Sequence, residues 1–387
     1  MQKIKKVYIL GNHIQALGIS RMAAKKGLEV TLYNGYGASV TRYSNTCKHF
    51  VLFRDEEHLI QMLLEKPVGV KDTMLIATND WLIGLMARHY DALGERYFLT
   101  IPRPNVVLLC FNKRHTYRSA MELGIPIPET HFPDTLEEVK ELGKRVRFPV
   151  IIKPAVMYTF HKATGKKVFF CSNEEELVQS YQEILNIIPP EEVIIQQFLT
   201  GGAKSLYSFG SFFAGGTAWG GFVANRIRQK PMDFGISTCY ARSVDNPKLE
   251  QMGIDFLKAI DYFGPSEVEF MLDPETGVYR LIEINPRFWK WHSMTNKLNI
   301  DLLSMMVDYL EGKELKPVLS RRADVGWVER VTDTYVVLGE LLKGRLSFSE
   351  YWKTMQLPKE SAVWSLRDPL PAILYVIMTP YLFFKRN

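Results

Sequence analysis

The sequence predicts an α/β protein: an open, mostly parallel sheet covered by helices in its first part, and an α+β arrangement in the part that follows. Three observations carry this expectation. Short apolar runs alternate with helical stretches through about the first 110 residues. Two alternating strands then flank a polar turn at 267–288. The composition, 47% hydrophobic and 23% charged over 387 residues, is that of a globular chain with room for two or three domains.

The opening is a strand, Val7-Tyr8-Ile9-Leu10, then Gly11-Asn12-His13, a helix from about Gln15 to Lys26, and a second strand at Glu29-Val30-Thr31-Leu32-Tyr33 after Gly27. Gly11 and Gly18 do not make the GxGxxG fingerprint, which argues against a nicotinamide or flavin site. Strands at 50–53 and 73–77, with helices at 56–65 and 80–93, complete a first domain over residues 1–110.

Phe111-Asn112-Lys113 opens a helix to Leu123, which Gly124-Ile125-Pro126-Ile127-Pro128 stops. A helix at 135–146 leads into the apolar strand Phe148–Pro154, which carries Lys153 near its end. There the ammonium is either a partly desolvated fixed charge or a lysine snorkelling to water. A basic segment, 155–167, contains His161, and a strand and helix follow it to about Ile187. The strand Val193–Leu199 closes on Thr200-Gly201-Gly202, and alternating strands at 204–242 and a helix at 249–263 lead to the hairpin. The expected units are 1–110, 111–195, 196–312 and a C-terminal extension at 313–387.

In the hairpin, Asp273-Pro274-Glu275-Thr276-Gly277 is the turn between strands at 267–271 and 279–288. Residues two apart share a face, so Glu283, Asn285 and Arg287 project together, with Ile282, Ile284 and Pro286 opposite and Glu269 able to face Glu283 across the pair. Hard oxygen donors of this kind suit Mg²⁺, and Arg287 suits a phosphate or carboxylate oxygen. The alternative is a surface hairpin with its charges in water, against which stands the apolar opposite face of 280–288.

A net charge of +6 without a dense Lys/Arg run fits anionic small molecules or an acidic membrane surface and gives no reason to expect nucleic acid. Four scattered cysteines, Cys47, Cys110, Cys171 and Cys239, point to a reduced, cytoplasmic setting. No export leader and no ordinary membrane span are expected. The end of the chain is unusual: Pro369 to Phe384 is almost wholly apolar and aromatic, is interrupted by Pro371 and Pro380, and ends on Lys385-Arg386. That stretch is too short and proline-broken to cross a bilayer core of about 30 Å. It either packs over the N-terminal sheet or lies as a monotopic anchor at the inner face of a membrane.

Five motifs in order resemble the ATP-grasp superfamily over roughly residues 1–310. They are Asn112-Lys113 before a helix ending in Gly-Ile-Pro-Ile-Pro, Phe-Pro-Val-Ile-Ile-Lys-Pro, Ile-Ile-Gln-Gln-Phe-Leu, Val-Glu-Phe, and Leu-Ile-Glu-Ile-Asn-Pro-Arg-Phe. The likeness is nearest to the carboxylate–amine ligases, including D-aspartate ligase-like proteins, and more distant to biotin carboxylase and carbamoyl-phosphate synthetase. It implies an ATP-grasp fold with an N-terminal open parallel-sheet pre-ATP-grasp domain, a small lid subdomain at 111–195 and a large subdomain with the metal site at 196–312.

The resemblance also implies roles. Lys113 and Lys153 match the lysines that hold ATP phosphates. Gln196, Gln197, Phe198 and Leu199 match the segment that holds adenine. Glu269, Glu283 and Asn285 match ligands of Mg²⁺, which Mn²⁺ can replace, and Arg287 matches the arginine beside the transferred phosphoryl group. Arg226, Arg228 and His161 are candidates for the substrate side. Asn112 stands where related chains often carry Asp, and no acidic residue for the ribose hydroxyls is evident. The implied reaction phosphorylates a carboxylate with ATP, releases ADP and passes the acyl group to an amine. The partners are then small-molecule carboxylate and amine substrates, with a homodimer and a peripheral membrane contact through the tail as further expectations. Two alternatives remain: a catalytically weakened ATP-binding partner protein, and an ATP-grasp enzyme with a non-amine acceptor, such as a carboxylase or phosphotransferase.

Overall fold

In the computed structural model, which describes residues 3–156, 160, 168–232, 235 and 237–385, the chain builds three sheets. The first contains β1 (Lys6–Leu10), β2 (Glu29–Asn34), β3 (His49–Leu52), β4 (Thr73–Ala77) and β5 (Phe98–Leu99), all parallel, in the order β3-β2-β1-β4-β5. Every residue of β4 is buried, as expected of a central strand covered on both faces. The expected helix at 80–93 divides into Asp80–Arg88 and Tyr90–Gly94, with His89 outside helical geometry between them. A further helix, Pro104–Phe111, has its proline in the first turn, where the missing N–H removes no helical bond. The sequence reading left this segment unassigned.

The second sheet has four strands, β6 (Thr130–His131), β7 (Val150–Pro154), β8 (Phe169–Cys171) and β9 (Val193–Gln197), in the order β6-β9-β7-β8. Helices Leu136–Gly143 and Glu174–Leu185 cover it, and Val139, Leu142, Ile152, Leu177, Tyr181 and Ile195 form its own core.

The third sheet has eight strands: β10 (Leu206–Ala214), β11 (Thr217–Lys230), β12 (Ser237–Val244), β13 (Gly264–Leu272), β14 (Tyr279–Asn285), β15 (Val318–Ser320), β16 (Gly326–Val328) and β17 (Lys359–Ser361). They run β14-β13-β10-β11-β12-β16-β17, with β15 parallel to β11. Residues beyond 313 therefore supply three strands to this sheet. The helix Ile14–Lys25 joins the first sheet to the third through one core, in which Leu17, Ile19 and Met22 meet Trp289, Trp291 and Met294. Gly18 sits at the contact: a Cβ there would come within 2.6 Å of the His292 ring.

The tail forms one helix, Leu370–Lys385, despite its two prolines. Pro371 lies in the first turn, where proline is tolerated. No described helix is long and apolar enough to cross a membrane.

Candidate functional site

The site grows from the hairpin of β13 and β14. Its turn is held by Asp273, whose carboxylate accepts from Thr276 Oγ1 at 2.8 Å, from the Glu275 N–H at 3.0 Å and from Arg280 at 2.9 Å. Register then sets Glu269 opposite Glu283 and Glu267 opposite Asn285. A bulge after Glu269 shifts the pairing, so Leu281, and not Ile282, joins Ile284 in the core with Val268 and Phe270. The simple alternation read from the sequence fails at that one residue. The outer edge of β14 is covered: the Leu281 N–H donates to the Pro126 carbonyl at 2.7 Å, and Tyr117 Oη, from the helix Lys113–Glu122, donates to the Ile282 carbonyl at 2.7 Å.

The polar face carries Glu267, Glu269, Glu283 and Asn285. Four cations are placed at or beside it. Lys113 Nζ lies 2.5 Å from Glu283 Oε2. Its helix starts where Asn112 caps it, accepting from the Arg114 N–H at 3.0 Å, so the amide fills the position's capping role as an aspartate would. Arg226 on β11 reaches across β10 to Glu269 Oε1 at 2.9 Å and Glu267 Oε1 at 3.6 Å. The β10 residues paired with Glu269 and Glu267 are Ser208 and Gly210, which leave room for that reach. Arg287 donates to Asp80 at 2.6 Å and to Asn285 Oδ1 at 3.2 Å. Lys153, fourth residue of β7, is buried and donates to Tyr117 Oη and Gln196 Oε1, each at 2.7 Å.

Electrostatics follow from this packing. Lys113 holds the Glu283 carboxyl well below its usual range, against the opposing effect of burial. Burial and the neighbouring Glu269 push Glu267 up. Burial opposes the charge on Lys113, Arg226 and Arg287, but their neighbouring carboxylates together outweigh it, Glu283 foremost for Lys113, Glu269 and Glu267 for Arg226, and Asp80 for Arg287. Lys153 moves the other way: burial lowers its pKa, with Lys113 nearby adding to the effect.

The donor set fits a hard divalent cation. Two facing carboxylates, a third on the same face and an amide oxygen supply oxygen ligands, and Glu267 Oε1 is buried without a hydrogen-bond partner among the described residues. Among the described residues no three His, Cys, Asp or Glu side chains already close around one point as ligands. In this state Lys113 engages Glu283, Arg226 engages Glu269, and Asn285 donates to Glu269 at 3.0 Å.

Other sequence candidates lie elsewhere. Arg228 leaves the patch: register irregularities on both sides of it in β11 accompany a bidentate pair with Asp333 at 2.7 and 2.9 Å. Gln196 is occupied at both amide ends, by Lys153 and by Thr130 Oγ1 at 2.7 Å. The Gln197 and Phe198 N–H groups donate to the Glu129 and Pro149 carbonyls, and Leu199 is buried. His161 lies outside the described residues. The sequence reading missed Glu267, Asp80 and Tyr117. Only Glu267 carried a local signal, standing two residues before Glu269 on a strand.

Asn79 and Trp81, the chain neighbours of Asp80, line a crevice of about 430 Å³ at the carboxyl ends of β1 to β4, together with Asn12, Asn34, Tyr36 and Asp55 among others. Open parallel sheets bind ligands at this end. Asn12 Oδ1 is buried there without a hydrogen-bond partner among the described residues.

Comparisons with known proteins agree with this architecture. A family model for the carbamoyl-phosphate synthase L chain, ATP-binding domain, matches residues 240–318, which include β13 and β14. The N-terminal section of the carbamoyl phosphate synthase large chain of Methanopyrus kandleri is 24% identical over 287 residues, covering 70% of this chain and 49% of that protein. The matched part of the chain thus spans about half the length of that curated relative, one of many that match. Among solved structures, the biotin carboxylase domain dimer of Hydrogenobacter thermophilus 2-oxoglutarate carboxylase, in complex with MgADP, ADP and bicarbonate, superposes with a TM-score of 0.65 at 16% identity, covering 82% of this chain and 72% of that one. The L-amino acid ligase of Bacillus licheniformis superposes with a TM-score of 0.59 at 17% identity, covering 82% and 79%.

Proposed function

We propose, from the ATP-grasp fold of this chain, that it is an ATP-dependent carboxylate–amine ligase that makes an acyl phosphate, releases ADP and forms an amide. One observation carries the reading: the carboxylates of the hairpin and the four cations Lys113, Lys153, Arg226 and Arg287 are brought together from the helix Lys113–Glu122, the second sheet and the third. Attack of a carboxylate on a γ-phosphate joins two anions, so fixed positive charge must offset their repulsion and stabilise the charge that spreads over the phosphoryl oxygens. Lys113 and Lys153 hold phosphate, Arg287 orients the transferred group, and Glu269, Glu283 and Asn285, with Glu267 beside them, would hold Mg²⁺. When bound, that ion supplies charge neutralisation between the phosphate oxygens.

The pairing of Lys113 with Glu283 gives the resting site a defined charge state. Nucleotide phosphate takes over Lys113, which frees Glu283 to face the cation. Arg226 is too well matched to Glu269 and Glu267 to serve as a mobile substrate arginine, and it acts instead as a fixed positive charge between them that opposes the upward push of burial on Glu267. The acceptor amine enters from the crevice at the ends of β1 to β4, where Asp80, between the lining residues Asn79 and Trp81 in the chain, pairs with Arg287.

The fold of the L-amino acid ligase supports an amine acceptor, while that of the biotin carboxylase domain keeps a carboxylase in view. Product identity tests the reaction class. With amino acids as carboxylate and amine donors, the chain is expected to release ADP and phosphate in step with amide formation, measured by chromatography and mass spectrometry. AMP and pyrophosphate as the stoichiometric products would overturn the mechanism.

A further inference from the structure

We infer that the outer face of the C-terminal helix, Leu370–Lys385, is a docking surface for an anionic lipid bilayer. The helix is fastened at its start. The Asp368 carboxylate accepts from Arg21 Nε at 3.0 Å, Ser44 Oγ at 2.7 Å and the Asn45 N–H at 3.1 Å, and Asn45 Nδ2 donates to the Arg367 carbonyl at 2.7 Å. Pro371, Ala372 and Tyr375 then turn inward, the last two against the core shared by the first and third sheets. This spacing is helical, so the opposite stripe is held outward by construction. On that stripe Leu370, Ile373, Val376 and Ile377 are 46–66% exposed, and Leu366 and Trp364 extend it before the helix begins.

A run of exposed aliphatic side chains on a clamped helix exposes apolar surface that a monomer in water does not favour. Charge decides what covers it. Residues 369–387 contain no acid, Arg367 stands exposed just before the helix, and Lys385-Arg386 follow Phe384 in the sequence. The turn Thr41–Tyr43, against which the helix packs, adds exposed Arg42 and the half-exposed ring of Tyr43. A second copy of the chain is a poor occupant. Two-fold pairing of the helix sets Arg367 against Arg367 or against Lys385, and no acidic residue on the stripe offsets the repulsion. Anionic headgroups match both cationic ends, and the aliphatic stripe, with Trp364 and Tyr43 at its margin, matches the acyl boundary. Too short to span, the helix would lie in the plane of the interface. The inference is independent of the ligase reading.

The test is flotation of the full chain with vesicles of phosphatidylglycerol and phosphatidylcholine, and with vesicles of phosphatidylcholine alone. The native chain is expected to float with the anionic vesicles and to be released by salt. V376D/I377D changes two exposed residues and is expected to keep the native melting profile. Its vesicle partitioning should fall at least about tenfold, the scale of leaving two aliphatic side chains out of an apolar phase. Equal recovery of the native chain in the unbound fraction with both vesicles overturns the inference. So does a native dimer in sedimentation that V376D/I377D dissociates, because the stripe is then covered by a second copy.

Discussion

Replacing Glu283 by Gln separates two consequences of one ion pair. Lys113 Nζ lies 2.5 Å from Glu283 Oε2, with the two side chains 12% and 33% exposed. Removing one partner of a fully buried pair costs about 3–5 kcal/mol, because the other charge is left uncompensated. Glu283 is a third exposed and Glu269 also acts on Lys113, so roughly 1–3 kcal/mol is the expected loss for Glu283→Gln. Lys113→Met leaves the opposite charge and costs a similar amount. The double variant leaves neither, so it should melt above the temperature obtained by adding the two single shifts. Activity follows a different rule. On the proposed roles, each single variant removes a group that would meet cation or phosphate during turnover, and each should lower the ADP-release rate by about 10²–10³-fold, with no recovery in the double variant. Thermal melting and a coupled ADP assay at saturating Mg²⁺ read the two patterns. Additive melting shifts would show that the pair does not neutralise itself in the resting protein. Native turnover by Glu283→Gln would remove Glu283 from the cation site.

Two further outcomes follow from the same patch. Glu267, raised from 4.5 to about 8 by burial and Glu269, holds its proton more tightly folded than unfolded. Its contribution to stability is full below its unfolded value and is lost as pH rises through the folded one. Between pH 4.5 and about 8 the native melting temperature should therefore fall more steeply than that of Glu267→Gln, and parallel curves would refute the assignment. Lys153→Met should slow ADP release by about 10²-fold or more through loss of one fixed charge at phosphate. Turnover within threefold of native would give Lys153 a purely structural role in bridging Tyr117 and Gln196.

The hairpin was legible because its information is local. Alternation fixes which residues share a face, and the polar turn fixes where the strand reverses, so Glu269 and Glu283 could be set opposite each other from sequence. The parallel first sheet was legible for a similar reason, since strand–helix alternation leaves few other arrangements. What escaped depends on contacts across long separations. Nothing near Asp80 announces that it will meet Arg287, and Tyr117 sits within a polar helix with no sign that its hydroxyl joins Lys153 to the Ile282 carbonyl. Arg226 and Arg228 looked equivalent by their spacing of two. Irregular register in β11 sends one to the glutamates and the other to Asp333, and such irregularities leave no reliable mark in composition.

The organisation of charge around the hairpin also explains why its groups come from different sheets. Lys153 belongs to the second sheet and the carboxylates to the third, while Tyr117 and the helix it stands on touch both. A displacement of the second sheet would thus move Lys153 relative to Glu283 while leaving Arg226 and the hairpin in register. Under the proposed ligase reaction, phosphate bound between Lys113 and Lys153 would be held best with the two sheets drawn together, which would also shield an acyl phosphate from water. The Tyr117 hydroxyl bridges the two sheets, donating to the Ile282 carbonyl and accepting from Lys153, each at 2.7 Å. Because Lys153 and the carboxylates stand on different sheets, nucleotide phosphate in the proposed reaction would re-pair the cations without disturbing the register of the hairpin.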